Sequence, residues 1–99
     1  MIIFLRSALL AALLVLAACQ TAPPVQEMSD ARQAIMVARE AGAAEHAVAE
    51  LRAAENHLIS AENYLSTRNY MGARRDAVEA KARALEALRR SESMQDTED

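Results

Sequence analysis

The sequence predicts an all-α fold: a long antiparallel helical hairpin with a shorter N-terminal helix, a three-helix arrangement behind an apolar leader. Three observations predict it. Apolar residues recur at alternating steps of four and three along residues 45–67 and again along 70–91. A short polar break, Ser66-Thr67-Arg68-Asn69, separates the two segments. The two segments also carry opposite net charge.

The leader comes first in the chain. Met1 to Leu5 precede Arg6 and Ser7, and an unbroken apolar run then extends from Ala8 to Ala18. A positive start, a short apolar stretch and small residues before a cut describe a secretory signal peptide over residues 1–18. A membrane-spanning helix would need about 20 apolar residues, more than this run supplies. The run ends in Leu16-Ala17-Ala18-Cys19, which resembles the lipobox of bacterial lipoproteins. That resemblance implies cleavage before Cys19, diacylglycerol on its thiol and a fatty acyl chain such as palmitate on the new amine. Each buried methylene contributes about 0.8 kcal/mol, so two or three chains would hold the protein on the membrane almost irreversibly. Gln20 rather than aspartate follows the cysteine. By resemblance to the sorting rule of enteric-type bacteria, this implies the outer membrane, with the domain facing the periplasm. Cys19 is the lone cysteine, so no intramolecular disulfide can form.

Removing the first 18 of 99 residues leaves 81, room for a single domain near the size where one core barely suffices. The apolar share of 53% overstates that core, because much of it is alanine. The formal charge of −3 lacks the basic excess of a nucleic-acid binder, so no nucleic-acid partner is expected.

Residues 19–28 contain Pro23-Pro24 and no helical pattern, so they read as a tether that lets the domain stand off the membrane. The helical domain is expected over 29–92. Ser29 is placed to cap the first helix, with Asp30 favourable to its dipole. Ala31, Ala34, Ile35, Ala38 and Ala41 form its apolar face, and Gly42 is a natural stop. A second helix, Glu45 to Thr67, carries Ala47, Leu51, Ala54, Leu58, Ala61 and Leu65 in an unbroken stripe. Asn69 can cap the third, Tyr70 to Ser91, whose stripe is Tyr70, Ala73, Ala77, Ala80, Ala84 and Ala87. Each long helix is roughly 33 Å at 1.5 Å per residue, and matched lengths across a short turn favour an antiparallel pair.

The second helix has a net charge of −3 and the third +3, which supports their pairing. Within the third, Arg75–Glu79, Glu79–Arg83 and Glu86–Arg90 stand four residues apart, where ion pairs form. A second apolar line on that helix, Met71, Val78, Leu85 and Leu88, is offset from the alanine face. It is the candidate interaction surface, unless the first helix covers it. Residues 93–99 are expected to form an acidic, disordered tail.

No chemistry-bearing constellation emerges. His46 and His57 lie eleven residues apart, about 16 Å along a helix, too far to share a metal. Ser60, Ser66 and Ser91 have no histidine and acid at a spacing that indicates a triad. Glu55 and Glu62 share a face, where carboxylates are ordinarily solvated. Isolated Gly72 makes no phosphate-binding loop. No catalytic residue, metal or cofactor is therefore expected, and the chain reads as a non-enzyme. Braun-type lipoproteins share alanine-rich heptads and join peptidoglycan through a C-terminal lysine. Here the last residues are Asp96-Thr97-Glu98-Asp99, and no covalent peptidoglycan attachment is expected.

The pattern Ala31-Arg32-x-Ala34-Ile35, Ala41-Gly42-Ala43, Glu50-Leu51, then Ala54, Leu58, Ala61, Leu65, Tyr70, Ala73, Ala77 and Glu79-Ala80 covers roughly residues 31–88. It resembles the bacterial lipoprotein family of the domain of unknown function 4398. That family often has proline where this chain has Val48, a residue that would mark a helix start. A fainter similarity is to a single tetratricopeptide hairpin, through Tyr64, Tyr70, Ala73 and Ala80, although about three units are needed for a stable solenoid.

The expected function is that of a non-catalytic, lipid-anchored envelope protein, a structural or interaction module that binds an envelope protein or itself. Two alternatives remain open. One is a small-ligand or lipid carrier with Met36, Met71 and Leu85 lining a groove. The other is a regulator of a cell-wall hydrolase.

Overall fold

The computed structural model describes residues 1–98, and the side chains of 1–13 and 22–97. The elements in order are α1 (Ile2–Thr21), α2 (Val25–Glu40), α3 (Ala43–His46), α4 (Val48–Ser66) and α5 (Tyr70–Glu98). All five are helical. The first, second and third helices of the sequence reading correspond to α2, α4 and α5.

The alternating steps of three and four set the packing. Ala73, Ala77, Ala80, Ala84 and Ala87 of α5 are all fully buried. Methyl side chains let neighbouring backbones approach closely, and α5 forms the spine against which α4 and α2 both pack. Asp76 of α5 faces His57 and Ser60 of α4, and Arg90 faces Glu50, so α4 and α5 run antiparallel. Arg74 reaches Glu27 and Gln95 reaches Ala41, so α2 and α5 run parallel. An up-down-up bundle results.

Two groups of side chains make the core. The larger contains Ala34, Ile35 and Ala38 of α2, Ala43, Ala47, Leu51 and Ala54, and Ala84 and Ala87 of α5. The smaller gathers Met28, Ala61 and Ala77, with Leu65 packed against them. Met28 is 2% exposed and supplies bulk that the alanines around it lack.

The turns follow local rules. Gly42 adopts φ 90°, a left-handed conformation that glycine takes without the Cβ penalty, and ends α2 as its position predicts. At the other end of the bundle Arg68 takes φ 62°. Its N–H donates to the Leu65 carbonyl and that of Asn69 to the Tyr64 carbonyl, the paired closure of a Schellman turn. Asn69 Oδ1 then accepts from the Gly72 N–H at 3.0 Å, so the predicted cap of α5 is formed. A Cβ on Gly72 would lie 3.0 Å from the Tyr64 ring and 3.1 Å from the Asn69 amide, which accounts for glycine there.

Three expected boundaries move. α2 starts at Val25, not after a cap at Ser29, so residues 25–28 are helix rather than tether. Burial of Pro24 and Met28 supplies the reason, since both belong to the core side of the first turn. Proline also starts the helix well, its missing N–H being no loss there. The helix expected from Glu45 is broken at Ala47 (φ −145°), and α4 begins at Val48. Val48 is the position at which the resemblance noted above implies that proline often marks the helix start.

The third change concerns the C-terminus. Residues 93–98, expected to be disordered, continue α5. Ser91 extends the alanine seam, fully buried, with its Oγ donating to the Ala87 carbonyl at 2.8 Å. One turn on, Gln95 Nε2 donates to the Ala41 carbonyl at 2.8 Å, satisfying an acceptor at the C-terminal end of α2.

Candidate interaction surface

The predicted apolar line on α5 is largely open. Met71 is 72% exposed, Val78 54% and Leu85 38%, whereas Leu88 packs against the larger core. The first helix of the sequence reading, α2, thus runs beside this line without covering it. A shallow groove between α2 and α5 is lined by Asp30, Gln33, Ala34, Val37, Lys81 and Leu85. Met36 and Met71 do not line it, so the three residues named for a carrier groove are not gathered at one place. A second groove, between α2 and α4, is lined by Arg32, Ile35, Arg39, Glu55, Leu58 and Ile59.

Ion pairs cross between helices in a pattern only partly legible beforehand. Glu50 of α4 meets Arg90 of α5, as the opposite net charges suggest. Glu55 and Glu62, however, meet Arg39 and Arg32 of α2. Glu27 and Asp30 of α2 meet Arg74 and Lys81 of α5. Within α5, Glu79 pairs with Arg83 at 3.1 Å, as predicted. Arg90 instead crosses to Glu50, and Arg75 lies over the Tyr64 ring, 5.9 Å from its centroid. Glu50 is held below the usual carboxylate value of 4.5. Its own backbone N–H in the first turn of α4 is the main cause, opposed by desolvation and reinforced by Arg90 and then Arg83.

The structure also gathers three residues that sequence reasoning left apart. Asp76 accepts a hydrogen bond from Ser60 Oγ at 2.6 Å and lies 3.4 Å from His57 Nδ1. The sequence signal was present, since Ser60 and His57 stand three apart on one helix. The partner on α5 could be known only from the pairing register. Chemically the order differs from a hydrolytic triad, which needs the imidazole between hydroxyl and carboxylate. Here the carboxylate stands in the middle and the serine donates to it. The cluster fixes α4 against α5.

Among the described residues, no group of three or more His, Cys, Asp or Glu is placed to hold a metal ion. The side chain of Cys19 lies outside the described residues. The α1 side chains that are described stand in the open: Ile2, Ile3, Phe4, Leu5, Leu9, Leu10 and Leu13 are all exposed. Among the described residues, no helix is long and apolar enough to cross a membrane.

Comparisons with curated proteins and with solved structures each found no match. A family model described as "Domain of unknown function (DUF4398)" matches residues 26–99, from the first turn of α2 onward. It therefore spans α2 to α5 together, including the early start of α2 and the extended end of α5, and on that match the chain belongs to this family.

Proposed function

We propose that the mature protein is a non-catalytic envelope lipoprotein, held by lipid on Cys19 at the outer membrane and facing the periplasm. Its helical bundle serves as a structural or interaction module. The position of Cys19 carries the reading. The lone cysteine of these 99 residues directly follows an apolar run that begins behind Arg6, and it has no partner among them for an intramolecular disulfide. Support comes from α1, which shows large apolar side chains on several sides and buries none of those described. A helix of that kind is stable in an apolar environment supplied from outside the bundle. The open Met71–Val78–Leu85 line supports an interaction role for the domain.

Intact mass measurement on the full chain, expressed in a Gram-negative host and extracted from membranes, tests this. The expected product begins at Cys19, carries diacylglycerol and acyl chains, and fractionates with outer membranes. Cys19→Ser should remain uncleaved or appear free of acyl chains. A Cys19→Ser chain that still fractionates with the outer membrane, or a wild-type chain with no added lipid mass, would rule the anchor out.

A further inference from the structure

We propose that the bundle end bearing Val25, Arg68, Met71 and Arg75 docks on the phospholipid surface that holds the Cys19 anchor. The inference rests on the lipid anchor proposed above and adds an orientation and a contact surface. The connection between anchor and bundle is short and fixed. Arg74 Nη2 donates to the Ala22 carbonyl at 3.1 Å, and Pro24 is buried. Only Gln20 and Thr21 lie between Cys19 and Ala22, so these three residue steps reach at most about 11 Å. α5 has 29 residues and extends about 43 Å, so only its first turns can lie near the anchor.

The chemistry at that end suits a headgroup layer. Val25 and Met71 are 71% and 72% exposed. Arg68 and Arg75 are exposed beside them and form no ion pair with the described residues. The nearby acids are engaged: Glu27 with Arg74, Glu62 with Arg32, and Asp76 with Ser60 and His57. Cations flanking apolar side chains bind lipid phosphates while the apolar groups enter the acyl boundary. The acidic residues Glu92 and Asp96 lie at the far end of α5, where an anionic surface does not repel them. The rod therefore stands with its basic end on the membrane and its acidic end away from it.

Full-length Met71→Cys and Met94→Cys proteins, lipidated at Cys19, provide the test. Lipidation consumes the Cys19 thiol, so an environment-sensitive fluorophore labels only the introduced cysteine. In vesicles of phosphatidylethanolamine and phosphatidylglycerol, the probe at 71 should be quenched by spin-labelled lipid and shielded from iodide. The probe at 94 should show the opposite. Arg68→Gln with Arg75→Gln should weaken docking by about fivefold per arginine at low salt. Equal iodide access at 71 and 94 in lipidated protein would overturn docking while leaving the anchor intact. Shielding at 71 without lipid quenching would overturn it in favour of a protein partner. Shielding unchanged in the double variant would overturn the role of the arginines. Intact mass lacking lipid would instead defeat the anchor on which the inference rests.

Discussion

Arg68 and Asn69 show how two adjacent residues can end one helix and begin the next. Arg68 occupies a left-handed conformation without being glycine, and Asn69 serves both the closure of α4 and the cap of α5. Asn69→Ala should therefore cost about 1 kcal/mol, read from the denaturant midpoint. Glu50 offers a pH-dependent counterpart. Its folded carboxyl lies below the ordinary 4.5, so its contribution is present above that value and is lost as pH falls through the depressed folded value. Glu50→Gln should be less stable than the parent at neutral pH, and the difference should shrink on acidification below pH 4.5. Stability measured across that range checks the sign. At this scale the sequence was partly legible. Asn69 and Gly42 announced themselves through residue type, because caps and left-handed turns depend on local chemistry. Arg68 carried no such signal, since its conformation is imposed by the turn around it.

The alanine seam decides how the helices meet. With Ala73, Ala77, Ala80, Ala84 and Ala87 fully buried, there is no space for a larger side chain without separating α5 from its neighbours. Ala84→Leu should destabilise by about 1–3 kcal/mol through overpacking. Ala82→Leu, on the exposed side of the same helix, should stay within about 0.5 kcal/mol. The start of α2 makes a second comparison. Met28→Ala should cost about 2–5 kcal/mol, because the side chain fills the smaller core. Ser29→Ala should be close to neutral, since Ser29 sits exposed within the helix, whereas loss of a true cap would cost about 1 kcal/mol. Paired unfolding curves for the two variants distinguish the early helix start from one at Ser29. The first-turn residues were read as tether because Pro23-Pro24 masked a helix whose first buried side chains are Pro24 and Met28.

In the whole molecule, charge and length are distributed along one axis. The end of the bundle where α2 and α5 begin holds Arg68, Arg74 and Arg75, while Glu92 and Asp96 lie at the other end of α5. The C-terminal extension is part of the bundle through Gln95, which meets the last turn of α2. A chain stopped after Glu92 should lose about 1 kcal/mol of stability, measurable as a lower unfolding midpoint, whereas a disordered tail could be removed without effect. The open line on α5 was visible in advance from its offset, and three of its four members are exposed. Which acids would face which arginines was not visible. Glu55 and Glu62 turn to α2 because that helix crosses their face of α4, a fact set by three-dimensional packing. The same holds for Asp76 with His57 and Ser60, whose meeting depends on the register of α4 against α5. The sequence by itself determined that the chain is helical, how many long helices the bundle has and which face of each is buried. Those properties follow from a period of 3.6 residues, which neighbouring side chains express without reference to the rest of the chain. Only the tertiary structure decided where α2 begins, how far α5 continues and which charges pair between helices. Each of these depends on a distant surface covering a side chain or satisfying a polar group, and such partners have no fixed spacing along the chain.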